Sequence, residues 1–230
     1  MDGSARVVAV QDDLVEIETL PGPDGARPRL VKNEMIHICP SAPSARGEPE
    51  RLKAEVLRVR GNTADAQVYE STRGVAVGDP VEQSGEMLSV ELGPGLLGQV
   101  YDGLQAPLPV VAARYGIFLP RGAAVPALDG GKTWSFLPVV KSGARVVAGD
   151  TLGTVQEGRY THKIMVPFDW TGELRVSWIQ EGSFNVRETI ARLADGTGRE
   201  RAVSLAQRWP VRRALNAGLL KRGLSRRLYP

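Results

Sequence analysis

One cysteine, Cys39, and two histidines, His37 and His162, occur among the 230 residues. A lone cysteine excludes an intramolecular disulfide and any zinc cluster built on cysteines. No run comes near the roughly 18 apolar residues needed to cross a bilayer as a helix. The glycine-rich phosphate cradle G-x-x-x-x-G-K-S/T is missing, no G-x-G-x-x-G follows a strand pattern, and H-E-x-x-H does not occur. These absences remove the sequence signatures of a P-loop nucleotidase, a dinucleotide-binding enzyme and a zinc protease. Residues 1–13, MDGSARVVAVQDD, hold acids and no apolar core. They do not read as a secretory signal, and a cytosolic protein is expected.

What is present is a turn-rich globular composition. Hydrophobic residues make up 42% and charged residues 24%, so a packed core is expected and wholesale disorder is not. There are 26 glycines and 16 prolines, above the usual share of about 12% for the two together, which favours short strands over long helices. The net charge of +3 is unevenly placed. Residues 202–230 hold seven basic side chains and no acid, leaving 22 basic against 26 acidic groups elsewhere. Such a tail suits nucleic acid, anionic lipid, or a connection to a further domain.

Period-two alternation or short Val/Ile-rich runs mark strands at 6–10, 14–18, 35–38, 54–59 and 64–69. Turn clusters divide them: Pro21 to Gly25, Pro40 to Pro49, Gly61-Asn62 and Val77 to Pro80. Short strands at near-regular spacing predict a small closed β-barrel over 1–86. Leu96, Leu97, Val100, Tyr101 and Leu104 fall on one helical face. Pro94 can start a helix and Gly103 can end it, so the 87–114 linker is expected to contain a short helix over 94–105.

A second β-module is expected over 115–198. Its signature is VKSGARVVAGDTLGTV, residues 140–155, where glycines recur at turns and Val and Leu fill a narrow interior. Gly143 and Gly149 are expected in turns, with at least one at positive φ. Val146, Leu152 and Val155 are expected in the core. The pattern resembles the barrel-sandwich shape of biotinyl and lipoyl carrier domains. A carrier needs a lysine at its exposed hairpin tip, and Gln156 to Thr161 holds Arg159 and no lysine, so carrier function is not expected. The fold class is mainly β: a barrel, a short helix, a barrel-sandwich-like module, and a basic linker over 199–230.

Few residues are candidates for chemistry. His37, flanked by Ile36 and Ile38, reads as an ordinary strand residue, and His162 as a surface one. Cys39 reads as a buried structural thiol. Asp12-Asp13 and Glu48/Glu50 lie in turns, where solvated charge is expected. No catalytic, cofactor-binding or metal-binding residue is assigned, and the chain is expected to be inactive alone.

A more specific pattern runs from Gly85 to Leu108, GEMLSVELGPGLLGQVYDGLQAPL. It continues at 117–122 (IFLPRG), 125–129 (VPALD), 149–157 (GDTLGTVQE), 162–167 (HKIMVP) and 207–213 (QRWPVRR). These blocks resemble, in order, the catalytic A subunit (alpha chain) of the V/A-type rotary ATPases and ATP synthases. The resemblance implies an N-terminal β-barrel in the crown of a ring, then an inserted bulge module, then a nucleotide-binding domain with a P-loop. That last domain has no counterpart in these residues, and 199–230 would be the linker toward it. The resemblance makes Gly93, Pro94, Gly95, Gly98, Asp102, Gly103, Gly149, Asp150, Trp209 and Pro210 family-motif structural residues. It implies Mg-ATP or Mg-ADP only in the complete subunit and none in this chain. The implied partners are B-type subunits of an alternating hexameric ring, with peripheral-stalk subunits at the bulge. The implied place is the cytoplasmic face of a membrane, without insertion, and the implied role is coupling ATP synthesis or hydrolysis to ion transport, such as hydrogen ion transport by a translocase.

The sequence departs from that family in three places. Val10 to Leu14 stands where a glycine-proline turn is usual, Leu20 to Glu50 is longer and richer in proline, and Ala214 to Leu224 differs. The alternative is a freestanding β-barrel adaptor that binds nucleic acid through its basic tail. Only Trp209 and Tyr229 are aromatic in that tail, which offers no stacking platform.

Overall fold

The computed structural model describes residues 4–42, 49–116, 121–122 and 124–215. The chain divides into two compact units. One holds Met1–Ser89, Pro109–Val125 and Pro210–Arg212, the other Val90–Leu108, Pro126–Trp209 and Arg213–Pro230.

The first unit is built on a closed barrel. Its strands are β1 (Ala5–Gln11), β2 (Leu14–Thr19), β3 (Glu34–Ile38), β4 (Leu52–Arg60), β5 (Thr63–Val68) and β6 (Pro80–Met87), in the closed order β1-β2-β5-β4-β3-β6. All neighbouring pairs are antiparallel. Alternation does the sorting, as β5 shows: Ala64, Ala66 and Val68 are buried while Thr63, Asp65 and Gln67 are not. A one-residue slip would turn every one of these side chains to the wrong face. Small and branched residues share the interior, Ala5, Ala54, Ala64 and Ala66 with Val7, Ile17, Ile36, Ile38 and Leu52. That mixture suits a narrow barrel filled by side chains. Asp12 turns the β1–β2 hairpin at φ +51° and Gly61 turns β4–β5 at φ +61°. The five strands expected here are all present, and β6 adds a sixth that local pattern did not mark.

The second unit packs two four-stranded sheets around one core. Its strands include β8 (Thr133–Pro138), β9 (Arg145–Val146), β10 (Thr151–Glu157), β11 (Tyr160–Met165), β12 (Leu174–Ile179), β13 (Gly182–Asn185), β14 (Thr189–Ala194) and β15 (Glu200–Ser204). The sheet orders are β11-β10-β8-β13 and β15-β14-β12-β9. Trp134, Phe136, Leu152 and Val155 from the first sheet meet Leu174, Val176, Ile190 and Leu193 from the second. Each such side chain contributes about 1.5–3 kcal/mol when fully buried. Val146, Leu152 and Val155 are buried as expected, and Gly143 and Gly149 both turn at positive φ, +90° and +80°. A two-stranded sheet pairs β7 (Ser89–Leu92) with β16 (Gln207–Pro210).

Two expectations are corrected. Residues 94–105 are not a helix. Gly95 (φ +107°), Gly98 (φ +76°) and Gln105 (φ +63°) are left-handed, which no α-helix accommodates. The segment is instead a series of turns. Asp102 Oδ1 accepts from Leu104 N–H at 2.9 Å and Ala106 N–H at 2.7 Å, a side-chain competitor to helical bonding. Leu97 and Val100 of the supposed apolar face are exposed. The helix, α1, comes later at Leu108–Tyr115, with Pro109 in its first turn, where a missing N–H costs nothing. The second correction concerns 199–230. β15 pairs with β14 from Thr189↔Ser204 to Ala194↔Glu200, so the start of this stretch, 200–204, is a strand of the second unit rather than linker. The basic tail from 216 onward, Glu48, and most of the 117–122 block lie outside the described residues.

Candidate functional site

Two buried carboxylates organise the two units. In the first, Glu55 lies on β4 between Ala54 and Val56, which face the barrel interior. Its side chain therefore points outward, yet Glu55 is only 1% exposed. Arg212 and the Tyr69 hydroxyl cover it, with Tyr69 donating at 2.7 Å. The Arg212 guanidinium holds the Glu55 carboxyl below its ordinary range, helped by Tyr69 and opposed by burial. Burial and then the Glu55 carboxylate push the Tyr69 hydroxyl up to about 12. The charge is thus fixed and fully hydrogen-bonded, an arrangement suited to holding structure rather than moving protons.

In the second unit, Glu157 ends β10 and is 7% exposed. Its Oε1 accepts from Gly95 N–H at 2.7 Å and Leu97 N–H at 3.1 Å, and its Oε2 lies 3.0 Å from His162 Nδ1. One carboxylate therefore anchors the 94–97 turn to the β10–β11 hairpin. Tyr101 feels burial first and Glu157 second, both raising its hydroxyl, which donates to the Ala127 carbonyl at 3.1 Å.

The ten motif residues fall into distinct local roles. A Cβ on Gly93 would lie 3.0 Å from the Ala206 Cβ and 3.1 Å from Leu128 Cδ1, so close approach requires glycine there. Pro94 is buried beside it. Gly95 and Gly98 supply left-handed turns, and Asp102 caps the turn that contains Gly103. Gly103 itself has an ordinary φ and open space around it. Gly149 N–H donates to the Val166 carbonyl at 3.0 Å, and Asp150 Oδ2 accepts from Val147 N–H at 2.8 Å. Trp209 meets Phe168 edge-on at 5.7 Å and donates to the Arg213 carbonyl at 3.0 Å, and Pro210 closes β16. The Gly93–Gly103 and Gly149–Asp150 groups belong to one unit, and none of these residues forms a reactive constellation.

The other candidates are also placed. His37 is on β3 and half-buried; burial first, then Arg51, lowers its pKa. Asp12 and Asp13 are exposed turn residues. Three expectations change. Cys39 is half-buried rather than buried, with its thiol pushed up by burial and then by Glu82. Glu50 is not simply solvated, because it pairs with Arg121, whose Nη1 also donates to the Ser71 carbonyl at 3.0 Å. His162 is packed against Glu157 rather than free at the surface, with 25% of its side chain exposed. Sequence reading missed Glu55, Glu157 and Arg121 as anchors, because each finds its partner far along the chain.

Two concavities among the described residues bear on ligand binding. One, of about 240 Å³ in the second unit, is lined mainly by apolar groups, among them Leu92, Leu96, Ile164, Phe168 and Leu205. The other, of about 760 Å³ on the first unit, is lined by Arg27, Arg29, Lys32 and Arg58 without an acid. Neither fits Mg-ATP: the first is apolar, and the second has no carboxylate for the metal. Among the described residues, no group of three or more His, Cys, Asp or Glu could hold a metal ion. No described helix is long and apolar enough to cross a membrane.

Comparison with known proteins agrees with this architecture. Residues 43–85 match the ATP synthase alpha/beta family β-barrel domain, and 125–212 match the ATP synthase alpha/beta subunit barrel-sandwich domain. The Arg27–Lys32 wall of the basic groove lies ahead of the matched barrel segment. The chain is 54% identical over 167 residues to V-type ATP synthase alpha chain 1 of Treponema pallidum (strain Nichols), covering 72% of this chain and 28% of that one. It is 44% identical over 213 residues to the V-type ATP synthase alpha chain of Borrelia recurrentis (strain A1), covering 92% and 34%. For the Treponema denticola V-type ATP synthase alpha chain the figures are 48% over 168 residues, 73% and 28%. The chain thus spans about a third of the length of these relatives. With its barrel, its barrel-sandwich module and the motifs that tie their turns, the chain belongs to the ATP synthase alpha/beta family and corresponds to the N-terminal portion of V-type ATP synthase alpha chains.

Proposed function

We propose that this chain supplies the non-catalytic N-terminal portion of the alpha (A) subunit of a V-type ATP synthase, a machine that couples ATP synthesis or hydrolysis to ion transport across a membrane. The observation that carries this reading is the order of parts: a closed six-stranded barrel followed by a barrel-sandwich module, in a sequence matching V-type alpha chains over 92% of its length. In this reading 1–86 is the barrel domain, 87–114 the connection, and 115–198 the bulge module, whose sheet β15 extends further. The barrel joins an alternating ring with B-type subunits, and the bulge meets peripheral-stalk subunits at the cytoplasmic face. The ten motif glycines, prolines, Asp102, Asp150 and Trp209 hold the turns that present these surfaces. Nucleotide chemistry needs a row of backbone N–H donors and a lysine around the phosphates, and these 230 residues contain no such sequence.

The direct test is co-purification of the tagged chain with a B-type subunit, in the presence of nuclease. Retention of the B-type subunit is expected, and its loss would overturn the proposal. Calorimetric titration with Mg-ATP is expected to show no saturable binding tighter than about 100 µM, near −5.5 kcal/mol.

A further inference from the structure

We propose that the basic groove on the barrel unit is a docking site for an acidic, leucine-rich segment of a partner protein. The groove, of about 760 Å³, has two walls. One is the loop that carries Arg27, Arg29 and Lys32; the other is the end of β4 with Arg58. Arg27 is largely committed, pairing with Glu18 at 3.6 Å and donating to the Thr19 carbonyl. Arg29, Lys32 and Arg58 are exposed and make no ion pair with any described residue. Three uncompensated cations around a concavity concentrate a positive potential there. They repel one another unless an anion is near, so the arrangement rewards a negatively charged partner.

The apolar lining decides which anion. Val31, Leu57 and Val59 border the same groove, and Val31 is 49% exposed. Leu57, Arg58 and Val59 are consecutive, and a regular strand would send them to alternate faces. The register shift between Val56 and Arg58 makes Leu57 an extra residue on the strand and leaves it beside Arg58 at the groove, as bulges re-aim side chains, while Val59 packs in part against the barrel core. Cations and aliphatic groups are therefore interleaved, matching a segment that alternates carboxylates with aliphatic residues. No aromatic residue lines the groove, so it lacks the stacking platform that single-stranded nucleic acid uses.

The test uses the 230-residue protein and a fluorescent peptide in which glutamate and leucine alternate. Saturable binding is expected, weakened at least about tenfold by the combined Arg29→Glu, Lys32→Glu and Arg58→Glu variant. A second variant with the same charge change elsewhere, Lys141→Glu, Arg145→Glu and Arg159→Glu, should bind as the parent does. Replacing leucine by serine in the peptide should also weaken binding. All six cations are exposed, and an unchanged melting temperature confirms that both variants fold. Absence of binding, equal binding by the groove variant, or tighter binding of a single-stranded oligonucleotide through the same cations would each overturn the proposal.

Discussion

Arg212 grips Glu55 with two parallel hydrogen bonds, Nε to Oε1 at 2.9 Å and Nη2 to Oε2 at 2.7 Å, across a separation of 157 residues. The planar guanidinium matches the carboxylate edge in a way that a lysine ammonium cannot. Because Glu55 sits on the barrel wall, this contact ties the returning chain at Pro210–Arg212 to the barrel that began the unit. Val211 N–H adds a bond to the Leu88 carbonyl at 2.9 Å.

Removal of the guanidinium should expose the cost of that buried charge. Arg212→Ala is expected to lower the melting temperature of the barrel unit more than Arg212→Lys does. The effect should depend on pH. Glu55 has its pKa depressed in the folded state, so its contribution is complete above the unfolded value of about 4.5 and is lost as pH falls through the folded one. Thermal melts of parent and variant should therefore differ at neutral pH and converge in acid. Identical melts at pH 7 would show that the fork does not matter.

His37 titrates in the same direction by a different cause. Burial and Arg51 favour its neutral form, so the folded pKa lies below 6.5. The unfolded chain then takes up the proton first, and stability falls as pH drops from about 6.5 toward the folded pKa. A proton NMR titration of the imidazole should give a midpoint below 6.5. A midpoint above it would mean that Glu82, and not burial, governs the site.

Leu152 is fully buried on β10 at the centre of the second unit's core. Leu152→Ala should cost about 2–5 kcal/mol, the sum of lost transfer energy and a residual cavity. Chemical denaturation of the second unit reads this directly, and an unchanged midpoint would mean that the core is not packed around this side chain.

Two glycines should respond in opposite ways. A Cβ on Gly153 would lie 2.3 Å from Phe136 Cε2 and 2.6 Å from the Leu137 carbonyl oxygen. Gly153→Ala must displace β8 or its phenyl ring and should cost about 1–3 kcal/mol or more. Gly103 has no neighbour within 4 Å of its added Cβ and an ordinary φ, so Gly103→Ala should leave the isolated chain's stability unchanged. A loss of B-type subunit capture in that stable variant would place Gly103 at an assembly contact.

The sequence by itself determined the first five barrel strands, because alternation is a local property. Ala64, Ala66 and Val68 announce their faces without reference to the rest of the chain, and Gly143 and Gly149 announce their turns. The ordered motif blocks also identified the family. Local pattern misled at 94–105, where Leu96, Leu97, Val100 and Leu104 have helical spacing but three left-handed residues forbid the helix. It missed β6, whose Gln83-Ser84-Gly85-Glu86 run lacks an apolar stripe, and β15, which becomes a strand by pairing with β14. Only the tertiary structure decided what the charged residues do. Glu157 finds its backbone donors 60 and 62 residues away, and Glu55 its arginine 157 away. A carboxylate's burial depends on what folds over it, and no residue within a strand's reach carries that information.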